Sequence, residues 1–244
     1  GACVPFGIVQ LSPDTDTIPH NVDGVYQGKA YEYCAGYQYH DKTIVGFSHT
    51  HMSGTGHSDL GDILIMPTTG PLKLNPGTSD NPDSGYRSRF THDTEKAAPG
   101  YYEVKLDDYG VKVQLTATQR VGVHKYTFPV DKEGRIVLDL NHSIYNYEGK
   151  TLWATLRVEN DTLLTGYRIT NGWARTNYTY FAISLSQPIK NYGYKDHQRI
   201  LYNGWWRKFP INNNFPEMAG RKLVSYFEFD TSRNPELVVK VALS

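Results

Sequence analysis

Between Tyr101 and Leu140 the chain repeats one device: a short run with apolar residues at every second position, then a turn. Tyr101-Tyr102-Glu103-Val104-Lys105-Leu106 alternates, and Asp107-Asp108-Tyr109-Gly110 turns. Val111 to Thr118 alternates, Val121 to Pro129 follows, Asp131-Lys132-Glu133-Gly134 turns, and Arg135 to Leu140 runs on. Successive side chains on a strand point to opposite faces, so this period buries one face of an antiparallel sheet. Short turns between such runs make hairpins. The second half keeps the rhythm, with strands expected at Leu152 to Glu159, Thr162 to Arg168, Tyr178 to Leu185, Ile200 to Tyr202, Lys222 to Asp230 and Leu237 to Leu243. Nowhere does a helical period persist over a dozen residues. The expected fold class is therefore all-β, a large two-sheet antiparallel β-sandwich.

Earlier in the chain, Val4 to Leu11 reads as a first strand and Ser12-Pro13-Asp14-Thr15-Asp16 as turn chemistry. Thr17 to Gly28 reads as a loop. Tyr31, Tyr33, Tyr37 and Tyr39 stand at odd positions of a strand-like stretch, which predicts four rings on one face. Gly70 to Gly85 is rich in Pro, Gly, Ser and Asp and reads as surface loop. Asn171-Gly172-Trp173 and Asn203-Gly204-Trp205-Trp206 are turn signals flanked by aromatics.

The 244 residues suit one large β domain, with no internal repeat or low-complexity linker to divide them. Charge balances at 25 Lys+Arg against 25 Asp+Glu. A nucleic-acid or acidic-membrane partner needs a basic excess, so neither is expected. No run approaches the ~20 apolar residues of a membrane span. Tyrosine is abundant at 19, which suits strands and equally suits stacking on sugar rings. Two cysteines, Cys3 and Cys34, fit either one disulfide or two free thiols. The abrupt opening at Gly1-Ala2-Cys3 and the apolar close at Leu237 to Leu243 read as cuts within a longer chain.

One stretch breaks the pattern. Ile44-Val45-Gly46-Phe47 enters it and Ile63-Leu64-Ile65-Met66-Pro67 leaves it. Between them stand His49, His51 and His57, Asp59 and Asp62, the hydroxyls of Ser48, Thr50, Ser53 and Thr55, and Gly54, Gly56 and Gly61. It reads as a polar loop between two core strands, where binding groups commonly sit. His49 and His51, two apart, share a face if extended and suit a metal or a substrate. The hydroxyls equally suit bonds to the loop's own backbone. Phosphate cradling is not expected, because no lysine and no helix follow and neither nucleotide fingerprint is present. Asp59 and Asp62 read as loop residues more readily than as a paired acid and base.

Gly36-Tyr37-Gln38-Tyr39, Ile44 through Gly56, and Asp59-Leu60-Gly61-Asp62-Ile63 resemble the N-terminal domain of family 92 glycoside hydrolases, calcium-dependent exo-acting α-mannosidases. Val4-Pro5-Phe6-Gly7 with Gln10-Leu11-Ser12-Pro13-Asp14 matches too. So does Ala98-Pro99-Gly100-Tyr101-Tyr102 through Leu115-Thr116-Ala117-Thr118 to Tyr126-Thr127-Phe128-Pro129. Where the family often has a tryptophan before the Gly-Tyr-x-Tyr element, this chain has Tyr33-Cys34-Ala35, and no sugar-stacking role is carried over to Tyr33.

The resemblance implies a galactose-mutarotase-like supersandwich over residues 1–244, followed in the family by a helical (α/α) domain. It places the active site between the two. General acid, general base and most calcium ligands then come from the helical domain, so no catalytic residue and no metal ligand is expected in this chain. The implied reaction is hydrolysis of terminal α-mannosides of glycans with inversion, an acid protonating the leaving oxygen while a base activates water. Residues implied at the substrate pocket are Ser48, His49, Thr50, His51, Ser53, Gly54, Thr55, Gly56 and Asp59. The implied compartment is periplasmic or extracellular. Two other readings stay open on the residues alone. One is a stand-alone carbohydrate-binding module using Tyr and Trp rings; the other is a cupin-like metalloenzyme using His49, His51 and a distant histidine.

Overall fold

A computed structural model describes residues 1–5, 7–17, 21–52, 59–195 and 216–244. Two antiparallel sheets dominate. The larger has nine strands, in the order Glu217–Gly220, Thr151–Asn160, Leu163–Thr170, Asn177–Leu185, Glu236–Leu243, Val121–Thr127, Val111–Ala117, Tyr101–Leu106 and Lys96–Ala98. The smaller has seven, in the order Ala2–Cys3, Gln10–Asp14, Gly46–Ser48, Leu64–Thr68, Gly134–Asp139, Val224–Phe229 and Asn191–Tyr194.

Alternation does what it predicts in the larger sheet. Val111, Val113, Leu115 and Ala117 are buried while Lys112 and Thr116 are exposed. Glu236–Leu243 buries Leu237, Val239, Val241 and Leu243 on the same face. These side chains meet Leu11, Phe47, Ile65, Ile136, Leu138 and Phe227 of the smaller sheet in one core. The smaller sheet differs, since Leu64–Thr68 and Gly134–Asp139 are buried at every position. Their second face is covered by loops. Tyr86, fully buried, lies there and donates its hydroxyl to Asp139 Oδ2 at 2.6 Å. A strand covered on both sides needs an unbroken apolar run, which is what Leu64-Ile65-Met66 supplies.

The N-terminal quarter departs from expectation. Val4 to Leu11 is not one strand: the chain doubles back, pairing Ala2 with Leu11. Ser12, Pro13 and Asp14 belong to a strand, opposite Ser48, Phe47 and Gly46. The loop expected at Thr17 to Gly28 carries a small hairpin, Asn21–Val22 with Val25–Tyr26, turning at Asp23-Gly24. Tyr31 to Tyr39 is no strand. Gly28–Tyr33 forms a 3₁₀ helix, and Gly36 takes φ +78°, the left-handed region that favours glycine. The four rings therefore scatter: Tyr33 is buried against Asp41, Tyr31 is exposed, and Tyr39 stacks on His92 at 4.0 Å. No disulfide joins Cys3 and Cys34. The strand expected at Ile200 to Tyr202 and the turn at Asn203 to Trp206 lie outside the described residues.

Candidate functional site

The polar stretch emerges from Gly46–Ser48 and returns into Leu64–Thr68. Its two limbs stay paired past the regular strands, with His49 N–H donating to Asp62 O at 2.9 Å and Gly61 N–H to Thr50 O at 2.8 Å. The returning limb is bent by Leu60, Gly61 and Ile63, at φ +73°, +83° and +57°. Left-handed backbone is unfavourable at Leu and Ile, so the surroundings must hold it there. They do so with polar side chains.

Thr50 Oγ1 donates to Asp62 Oδ2 at 2.6 Å and accepts from Asp62 N–H at 2.9 Å. Asp62 Oδ1 lies 3.2 Å from Arg168 Nε, off the N–H direction, as an ion pair without a hydrogen bond. Arg168 is wholly buried on the larger sheet. It donates to His142 O at 2.6 Å and Ser143 Oγ at 2.7 Å, in the loop after Gly134–Asp139. One side chain thus ties both sheets to the polar loop.

Asp14 forms a second anchor. Its Oδ1 accepts from His51 Nε2 at 2.6 Å and its Oδ2 from His142 Nε2 at 2.7 Å. Burial alone would raise its carboxyl, but His51 and His142 outweigh burial and hold it well below the usual range. His51 Nδ1 lies 2.6 Å from Gln10 O, a pure acceptor, so it donates from both nitrogens and is an imidazolium. Burial works against that charge, and Asp14 reverses the effect, raising the His51 pKa.

His49 goes elsewhere. Its Nδ1 donates to Ile63 O at 2.6 Å, and its Nε2 faces His124 Nε2 of the larger sheet at 2.9 Å. Tyr126 OH bonds His124 Nδ1 at 2.8 Å. The carbonyl fixes every proton in this row. Neutral His49 carries Nδ1–H, so His124 donates from Nε2 and accepts from the tyrosine on Nδ1. Desolvation lowers His49 to about 4 and His124 well below its ordinary value.

Asp59 closes the loop on its far side. It binds Lys150 Nζ and accepts Trp173 N–H at 3.0 Å and Leu60 N–H at 3.0 Å. Burial raises its pKa, and these donors, Lys150 first, bring it below the ordinary value. An added Cβ at Gly172 would stand 2.5 Å from Lys150 Nζ and from Asp59 Oδ2, so a side chain there would push this ion pair aside. The indole of Trp173 is 76% exposed beside this anchor.

Ser48, His49, Thr50 and His51 are thus buried, and Asp59 is nearly so. They come together as the base of the loop. Ser53, Gly54, Thr55 and Gly56, with His57, lie outside the described residues. His49 and His51 do not converge: one bridges to the larger sheet, the other to Asp14. Sequence reasoning missed Asp14, His142, Lys150 and Arg168. Asp14 carried a misleading signal, a Ser-Pro-Asp-Thr-Asp run typical of turns. Among the described residues, no three His, Cys, Asp or Glu side chains form a metal cluster. Calcium needs open carboxylate and carbonyl oxygens, whereas Asp14, Asp59 and Asp62 are each held by cations or imidazoles, so these residues do not fit that ion. The same pairing makes them anchors of the loop base.

Residues 1–244 match the glycosyl hydrolase family 92 N-terminal domain along their whole length. The family GH92 α-mannosidase BT3965 of Bacteroides thetaiotaomicron superposes with a TM-score of 0.84 at 39% identity, covering 100% of this chain and 30% of that one. The inverting mannosidase BT2199 of the same species shares the fold, with a TM-score of 0.72 at 24% identity over 100% of this chain and 28% of that one. An uncharacterized secreted glycosidase of Arthroderma benhamiae is 27% identical over 187 residues, 69% of this chain and 21% of the fungal protein. The chain therefore spans under a third of the length of these relatives.

Proposed function

The chain belongs to the glycosyl hydrolase family 92 N-terminal domain family, and from that membership we propose that it is the β-sandwich half of an inverting, exo-acting α-mannosidase. In this reading the sandwich frames one side of the sugar cleft. A C-terminal helical domain supplies the acid, the base and the calcium ligands. The terminal mannose of a glycan is the substrate, and the compartment is periplasmic or extracellular. The fungal relative's description as secreted supports that compartment. Among the described residues, no helix is long and apolar enough to cross a membrane.

The observation that carries the reading is a pair of anchors. His51 on Asp14 fixes the chain just before residues 53–58, and Asp59 on Lys150 fixes it just after. Anchored scaffold on either side of a glycine-rich, hydroxyl-rich sequence is where binding groups commonly sit. Ser48, His49, Thr50 and His51 act from below, and Ser53, Gly54, Thr55, Gly56 and Asp59 are proposed at the pocket rim.

Residues 1–244 alone are expected not to hydrolyse an aryl α-mannoside, with or without calcium, whereas the full-length enzyme does. Hydrolysis by residues 1–244 alone would refute the division of labour. A full-length enzyme inert towards α-mannosides would refute the substrate class.

A further inference from the structure

The larger sheet turns one face to the core and carries an aromatic patch on the other. In Thr151–Asn160, Leu163–Thr170 and Asn177–Leu185 successive side chains alternate between the two faces. Ala154, Leu156, Leu164 and Phe181 point inward and are buried. Trp153, Tyr167, Tyr178 and Tyr180 point outward. Register gathers them, with Trp153 opposite Ile169, Ile169 opposite Tyr178 and, in the next row, Tyr167 opposite Tyr180.

Trp153, Tyr178 and Tyr180 are 42%, 53% and 50% exposed. Single exposed rings are ordinary, but rings gathered over three neighbouring strands mark a binding surface. The rings of Tyr178 and Tyr180 lie 6.3 Å apart with planes 11° from parallel, and Tyr167 lies 5.6 Å from Tyr180. Neighbouring strands stand ~4.8 Å apart, so the patch spans about 10 Å, longer than one hexose.

Two properties choose the occupant. The first is hydrogen-bonding capacity. The hydroxyls of Tyr86, Tyr102 and Tyr126 are bonded within the fold. Those of Tyr167, Tyr178 and Tyr180, and the indole N–H of Trp153, bond nothing among the described residues. An apolar protein segment laid over them would shut four polar groups away from water, which is costly. A sugar suits both halves of these side chains, its C–H face on the ring and its hydroxyls on the polar tip. The second property is charge. A groove of about 380 Å³ runs beside Tyr167 and Tyr180, walled by Thr155, Thr165, Arg157 and Glu217. Arg157 pairs with Glu159 at 3.4 Å, and Thr165 donates to the same carboxylate at 2.5 Å, which leaves Glu217 as the excess charge. A rim of net negative charge disfavours an anionic polymer, and the threonine hydroxyls suit a neutral one.

We propose that this outer face is an accessory binding surface for an uncharged glycan polymer, outside the catalytic cleft. The central loop leaves the smaller sheet, whereas these rings stand on the far side of the larger one, so the polymer is held away from the bond that is cut. The assignment goes beyond the α-mannosidase reading and rests only on the chain's place in a glycoside hydrolase, to which it gives a hold on long glycans.

The test is affinity electrophoresis of the full-length enzyme in native gels cast with soluble α-mannan, with anionic polygalacturonate, or without polymer. Retardation needs no turnover, so it reads this face whether or not the enzyme cleaves mannosides. The α-mannan should retard wild type, and polygalacturonate should not. Tyr178→Ala combined with Tyr180→Ala should weaken the affinity for α-mannan about tenfold, and Trp153→Ala should weaken it as well. In the same variants the ratio of kcat/KM on α-mannan to kcat/KM on 4-nitrophenyl α-mannoside should fall, while the ratio for α-mannobiose holds. Melting temperatures should not change, because these exposed rings bond nothing in the fold. No retardation of wild type by α-mannan, equal retardation by polygalacturonate, or equal retardation of wild type and both variants would overturn the surface and leave the α-mannosidase reading standing. A lower melting temperature together with lost turnover on every substrate would overturn it too, by showing the rings packed against another part of the protein.

Discussion

Asp14 and His51 meet 2.6 Å apart with both side chains buried, a carboxylate held low and an imidazolium held high. Asp14→Asn leaves the imidazolium buried without its counter-charge. Removing one partner of a buried pair typically costs about 3–5 kcal/mol. The cost should depend on pH, and the sign follows from each shift. Asp14, lowered, contributes stability above its unfolded value of about pH 4 and loses it as pH falls through the folded value. His51, raised, contributes fully below about pH 6.5 and loses it as pH rises through the folded value. Urea titrations of wild type and Asp14→Asn should therefore differ most between about pH 4 and 6.5. A pH-independent difference would show that the pair is not ionised.

The row Ile63 O, His49, His124, Tyr126 predicts a spectrum. Long-range proton–nitrogen correlations should show His49 protonated on Nδ1 and His124 on Nε2. Both rings should stay neutral from pH 7.5 down to 5, since desolvation puts His49 at about 4 and His124 well below normal. Because the unfolded chain takes up these protons near pH 6.5, their burial costs stability as pH falls below that value, opposite in sign to His51. Titration of either ring near its ordinary pKa would refute the assignment.

These two networks mark the limit of what the chain disclosed before folding. The strands from Tyr101 to Leu140 and from Thr151 to Leu185 were legible because alternation is a local signal that burial on one face enforces. The polar stretch was legible as a departure from the strand pattern because its composition breaks that alternation. The partners that hold it were not. Asp14 lies 37 residues from His51 and 128 from His142, and local sequence gave it the look of a turn residue. Arg168 reads as one polar position in an alternating strand, yet it points inward and is wholly buried. Tyr31 to Tyr39 misled for the reverse reason: spacing of four rings imitated a strand, while Gly36 at φ +78° permitted a turn.

Arg168 contacts the loop at Asp62 and the 142–143 segment together. Arg168→Met keeps the volume and strands Asp62. A loss of about 3–5 kcal/mol in urea unfolding is expected. Arg168→Met with Asp62→Leu should recover part of that loss, since an apolar pair can replace a buried ion pair. No recovery in the double variant would mean that the bonds to His142 and Ser143 carry the effect.

Gly61 and Gly70 separate two causes of strain. Both have positive φ, +83° and +73°. An added Cβ at Gly70 meets nothing within 4 Å, whereas at Gly61 it would stand 2.7 Å from the backbone nitrogen of Ile144. Gly70→Ala should cost only the left-handed penalty of about 1–2 kcal/mol. Gly61→Ala adds a clash that only backbone movement relieves, so it should cost more and displace Asp62 from Thr50. In the full-length enzyme Gly61→Ala should therefore lower kcat/KM on mannosides as well as the melting temperature, while Gly70→Ala lowers the melting temperature alone. His49→Ala and His51→Ala should lower turnover by the same route, through a loosened loop base. Should Gly61→Ala melt early yet turn over at the wild-type rate, residues 53–58 would not need the anchored geometry, and their place at the pocket rim would fall with it.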